Sequence, residues 1–129
     1  LGIGAGSLAM LSALPDAEVE ELLAANADRL AADYPNYDAD LLRSDVAKTR
    51  ARGFALNPGR IVAGSWGVGV ALRRPDGSVV GAMSIAAIEN RMQPPRDVEL
   101  AALLASEARN IELRLARRMP QAALQENSR

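Results

Sequence analysis

The sequence predicts an α+β fold in which helices cover a small antiparallel sheet, and three observations carry that expectation. The spacing of apolar residues is helical up to Gly53, turns extended after it, and becomes helical again from Arg96. Apolar residues make up 49% of the chain but aromatics only 3%, so the core must be built from Ala, Leu, Val, Ile and Met, which suits helices packed closely on a sheet. A length of 129 residues is that of one ordinary domain, and no internal repeat or linker divides it.

Ser7 to Leu14 is a short apolar segment, preceded by the lead-in LGIGAGS and closed by Pro15-Asp16. From Asp16 a helix is expected to run to the stretch DYPNYD. Its Val19, Leu22, Leu23, Ala27 and Leu30 recur at helical spacing, and Glu18, Glu20 and Glu21 sit in the first turns, where the helix dipole favours negative charge. Pro35-Asn36 is loop chemistry. A further helix spans Asp38 or Ala39 to Arg52, with Leu42, Val46 and Thr49 as its inner stripe and Gly53 as its C-terminal cap.

The stretch FALNPGRIVAGSWGVGVALRR is rich in Val, Ile and Gly and has no sustained i, i+3, i+4 pattern, so strands are expected there. RRPDGS is a turn: Pro75 fixes φ, Asp76 can bond its own backbone and Gly77 accepts positive φ. Trp66 to Arg73 and Ser78 to Ala86 therefore read as a β-hairpin. The last helix is expected from Arg96 to Met119, with Leu100, Leu103, Leu104, Ala108, Ile111 and Leu115 as one apolar stripe and residues 120–129 as a flexible polar tail. About three strands are visible, and a sheet that small leaves an edge able to recruit another chain.

Composition excludes several kinds of chemistry. The chain has no cysteine and no histidine, which removes disulfides, Cys-rich zinc sites, a Cys nucleophile and a Ser-His pair together. Ser84 has no placeable base, and the carboxylates fall on helix surfaces, so no catalysis, metal or cofactor is expected. With 15 basic and 16 acidic side chains the net charge is -1, which gives no overall field to attract DNA or an anionic membrane. No apolar stretch is long enough to span a bilayer and the N-terminus lacks a basic signal region, so a soluble, cytoplasmic protein is expected. Lys48, Arg50 and Arg52 read as a solvated face. Met10, Met83 and Met92 read as core, with Met83 on the sheet face opposite Ser84.

The glycine-rich lead-in fits neither a dinucleotide fingerprint nor a P-loop, because Ser7 breaks the first spacing, no strand precedes it, and no Gly-Lys-Ser/Thr follows. It remains a lead-in to a helix N-terminus near Ser7. Two readings stay open: free N–H groups and the Ser7 hydroxyl suit a small carboxylate, or the glycines allow tight backbone packing while Ser7 caps the helix.

Taken in order, GAGSLAMLSALPDAEVEELL, TRARGFALNPG and GSWGVGVALRRPDGSVVGAMSIAAIENRM resemble the effector-binding domain of IclR-type bacterial transcriptional regulators over nearly the whole chain. The resemblance implies a GAF-like sensor fold, and a fragment of it: a DNA-binding winged helix-turn-helix and further sensor strands would precede residue 1. It implies a small organic acid as effector, held by the backbone N–H groups of Ala5, Gly6 and Ser7, with Asn57 at a position often acidic, Gly67 where some members have cysteine, and Ser84 and Ala86 where a Ser-x-Ser pair is common. Gly67 and Ala86 would make the pocket wider and less polar, favouring an effector larger than a two- or three-carbon acid. Trp66 is expected to wall that cavity, or else to lie in the core or an interface, and Arg60 receives no role. Control of DNA binding would be allosteric, in a homodimer or homotetramer that engages DNA only through the other domain. The alternative is an oligomerisation module whose pocket is plugged by Leu11, Trp66 and Met83.

Overall fold

The computed structural model describes the backbone of residues 1–126 and the side chains of residues 1–118. Three strands, β1 (Ala55–Pro58), β2 (Ser65–Arg73) and β3 (Val79–Ile88), form an antiparallel sheet in the order β1-β2-β3. On one face lie α1 (Ala5–Ser12), α2 (Asp16–Ala25), α3 (Ala27–Asp33) and α4 (Ala39–Arg52), and on the other lies α5 (Arg96–Glu126). Two apolar cores result, one on each face of the sheet.

The expected hairpin is present, and the turn that makes it works as its residues require. Asp76 accepts hydrogen bonds from the Ser78 N–H at 2.9 Å and the Ser78 hydroxyl at 2.6 Å. Register pairs Gly67 with Ala86, Gly69 with Ser84 and Ala71 with Ala82 on one face, and Trp66 with Ala87, Val68 with Ile85 and Val70 with Met83 on the other. Side-chain size therefore separates by face. The small set lets α1 settle on the sheet, while the large set packs against Ala101, Leu104 and Ala108 of α5.

Helix α4 has both of its expected ends. Asp38 accepts a hydrogen bond from the Leu41 N–H at 2.7 Å, and Gly53 closes the helix at φ 87, a conformation that side chains resist. Its inner stripe of Leu42, Val46 and Thr49 is buried as expected, but Asp45 is buried with it. Arg50 departs from the solvated face expected of it: its guanidinium donates to the Ser12 and Leu14 carbonyls and pairs with Asp16, fastening α4 to the α1–α2 corner.

Four further expectations are corrected. The helix read from Asp16 breaks at Asn26, where φ -109 and ψ 9 leave the helical region and the side-chain amide donates to the Leu22 carbonyl at 2.8 Å. The first helix starts at Ala5, not near Ser7, because Gly4 takes the N-cap position. Leu103 is 55% exposed, outside the apolar stripe of α5. That helix continues to Glu126, past the Met119 where the sequence ends it. The side chains of the proposed tail, residues 120–129, fall outside the described residues.

Candidate functional site

The first turn of α1 rests on the middle of the sheet, and two glycines two positions apart on β2 make this possible. A methyl group on Gly69 would lie 2.6 Å from both the carbonyl carbon and oxygen of Ala5 and 2.8 Å from the Gly6 nitrogen. On Gly67 it would lie 3.2 Å from the Ala5 methyl. The α1 backbone therefore approaches β2 as closely as only glycine allows.

This places the amides of Ala5, Gly6 and Ser7 at a helix N-terminus over the strands. The first N–H to join the helical ladder is that of Leu8, which donates to Gly4 at 2.9 Å. The three preceding amides lie before that first bond, so they have no i−4 acceptor within α1. Across from them lies Ser84: a methyl on Gly6 would sit 3.5 Å from the Ser84 hydroxyl oxygen and 3.6 Å from the Ala82 methyl. No bulky hydrocarbon is among these nearest neighbours. Ser84 and Ala86 are exposed on this face of β3, so the cradle opens to solvent along that strand.

The structure brings together most of the residues singled out from sequence. Ala5 lies over Gly67 and Gly6 lies beside Ser84, Ala86 lies opposite Gly67 in register, and the Asn57 side chain lies 4.0 Å from a methyl placed on Gly67. Two of the alternatives left open are decided: Trp66 takes the core position and does not wall the cavity, and the Ser7 hydroxyl is not available to a carboxylate. Trp66 points to the other face of the sheet, among Val68, Val70 and Met92 under α5, because strand alternation sends adjacent side chains to opposite sides. Ser7 contributes its backbone alone, since its hydroxyl accepts a hydrogen bond from the Gly2 N–H at 2.9 Å and holds the glycine-rich lead-in closed. Met83 faces away from Ser84, as alternation requires.

One polar cluster escapes sequence reasoning. The Asp45 carboxylate is paired with both terminal nitrogens of the Arg60 guanidinium, at side-chain exposures of 5% and 23%. Arg60 also lies over the Tyr37 ring, 5.9 Å from its centroid. Its own N–H donates to Asn57 Oδ1 at 3.2 Å. The loop after β1 is thereby tied to α4 and Tyr37, and Ile61 on that loop lies 3.7 Å from a methyl placed on Gly4 at the start of α1. Burial pushes the Tyr37 phenol above its ordinary pKa, and the nearby Arg60 pulls it back in part. The available signal was Asp45 itself, a carboxylate set in the stripe Leu42, Val46, Thr49. Among the described residues no group of acidic side chains could hold a metal ion, and no helix is long and apolar enough to cross a membrane.

The family described as "Bacterial transcriptional regulator IclR C-terminal" matches residues 1–113. The chain belongs to this family, as a C-terminal regulatory domain of a transcriptional regulator; the family is one of regulators, not enzymes. Three solved structures illustrate the shared fold. The repressor BlcR of Agobacterium tumefaciens is 21% identical with a TM-score of 0.75, over 89% of this chain and 47% of that one. The Thermotoga maritima IclR is 24% identical with a TM-score of 0.78, over 88% and 46%. The C-terminal domain of the E. coli transcriptional regulator KdgR is 19% identical with a TM-score of 0.76, over 89% and 70%. The chain thus spans less than half of the first two structures. No curated protein sequence is a match.

Proposed function

We propose that this chain is the effector-binding part of an IclR-type regulator, and that a small organic acid binds where the first turn of α1 faces β3. The observation that carries the proposal is the 3.5 Å approach between a methyl built on Gly6 and the Ser84 hydroxyl, with the amides of Ala5, Gly6 and Ser7 alongside. A helix N-terminus supplies N–H donors and a positive dipole end to a carboxylate, and Ser84 supplies a further donor. Ala86, exposed on β3 beside Ser84, borders the site with Asn57, while Ala5 covers Gly67, so the body of the acid would extend along β3 toward solvent. Trp66 has no part in this site. The ligand would act by favouring one of two arrangements of an oligomer, whose DNA-binding domains lie outside this chain.

Titration with a panel of monocarboxylic acids, followed by amide NMR, tests the reading. Saturable shifts are expected at Gly6 and Ser84, weakened by Ser84→Ala and blocked by Gly6→Val. Absence of saturable shifts at both positions for every acid, in this chain and in the full-length regulator, overturns it.

A second property rests on β3, which pairs with β2 along one side only among the described residues and exposes Val80 and Ile88. Such an edge favours self-association, and at least a dimer is expected. A stable monomer in sedimentation at micromolar concentration contradicts this. An oligomerisation module with a plugged pocket is the less supported reading. It needs Leu11, Trp66 and Met83 in the cradle, yet Leu11 packs beside Gly2 and Leu42, and the other two face α5.

A further inference from the structure

A second cleft, of about 440 Å³, lies at the other end of α1. It exists because β1 stops early: pairing ends at Ala55 opposite Gly69, so Val70 to Arg73 of β2, paired with β3 on one side, have no strand on the side of β1. Helix α5 closes part of the gap, where Glu112 accepts the Arg73 N–H at 2.8 Å. Strand alternation aims the Ala71 peptide the same way.

The lining is mixed: Phe54, Ala71, Ala105 and Ala108 give it apolar surface, and Ser12, Thr49, Arg50, Arg73, Arg109 and Glu112 bring polar groups to it. Thr49 and Arg109 stand out among the polar groups. Thr49 borders the cleft, and its hydroxyl is the one buried side-chain polar atom with no hydrogen-bond partner among the described residues. Arg109 lies at the rim, exposed and without an ion-pair partner among the described residues. Arg50 also borders the cleft, but its guanidinium is committed to Ser12, Leu14 and Asp16. The Arg73 guanidinium donates to the Gly77 carbonyl at 3.0 Å, so the cation left to a ligand is Arg109, against the single carboxylate of Glu112.

We propose that this cleft is a second binding site, for a small organic monocarboxylate distinct from the ligand of the α1 amides. The carboxylate meets the Arg109 guanidinium in a charge-assisted pair, the hydrocarbon body lies on Phe54 and the alanines, and the Thr49 hydroxyl gains the partner it lacks. The volume is in the range of roughly 300–1,000 Å³ usual for small-molecule sites. The two sites stand at opposite ends of an eight-residue helix, separated by roughly 12 Å of helical rise.

Benzoate and hexanoate, titrated separately into the chain and followed by amide NMR, test this. Saturable shifts are expected at Thr49, Ala71 and Arg109, weakened roughly tenfold or more in Arg109→Gln and blocked in Ala105→Leu, which fills the cleft. Three results overturn the proposal: no saturation with either acid, unchanged binding in Arg109→Gln, or shifts confined to Gly6 and Ser84. The last of these leaves the first site standing, and shifts confined to Thr49, Ala71 and Arg109 leave the second standing without the first.

Discussion

Replacing Gly69 by alanine gives the sharpest test of how α1 is held on the sheet. In an unconstrained strand the change would stabilise, because glycine costs roughly 0.5–1 kcal/mol more than alanine in backbone entropy. Here the added methyl meets three backbone atoms of Ala5 and Gly6 at 2.6 to 2.8 Å, and ordinary contact begins at 3.4 Å. Backbone in a helical turn cannot rotate away as a side chain can, so α1 must lift by something near ~0.8 Å or the strand must bend. Overpacking of this kind costs about 1–3 kcal/mol, and contact with three backbone atoms places it toward the upper end, which leaves a net loss of about 2 kcal/mol after the entropy gain. Urea unfolding of Gly69→Ala beside the parent chain measures it, with Gly67→Ala as the internal control. The Gly67 methyl meets the Ala5 methyl at 3.2 Å and nothing else closer than 3.7 Å, so its cost should be smaller. A Gly69→Ala variant as stable as the parent, or more so, would refute the close approach and with it the placement of the α1 amides.

Arg60→Met leaves the buried Asp45 carboxylate without its partner and should cost about 3 kcal/mol, the low end for a broken buried pair because Arg60 is partly exposed; the double variant Asp45→Leu/Arg60→Met should recover much of this. Equal unfolding midpoints for the single and double variants would sink that account. Tyr37 has a raised pKa in the fold, so the folded state holds the phenolic proton more tightly than the unfolded chain does. The resulting stability is fully present below the ordinary value of about 10 and is lost as pH rises through the higher folded value. Tyr37→Phe should therefore flatten the alkaline decline in unfolding midpoint, and identical profiles for the two proteins would contradict the buried phenol. Gly53→Ala should cost about 1 kcal/mol through the left-handed backbone alone, since no atom lies within 4 Å of the added methyl; a cost near zero in thermal unfolding would count against the cap.

The sequence by itself determined the order and kind of nearly every element, because those signals are local. Leu42, Val46 and Thr49 recur at a helical period, Gly53 sits where only a left-handed residue ends the helix, and Pro75-Asp76-Gly77 specifies its turn from within four residues. Alternation along β3 likewise separated Met83 from Ser84 before any partner strand was known. What only tertiary structure decided depends on where two distant segments meet. The face that Trp66 takes, the pairing of Asp45 with Arg60 across fifteen positions, and the loss of the Ser7 hydroxyl to Gly2 each follow from the packing of one element on another. The cradle itself is of this second kind: Gly67 and Gly69 fall on one face by the period of a strand, but the helix backbone that needs their missing side chains comes from more than sixty residues earlier in the chain.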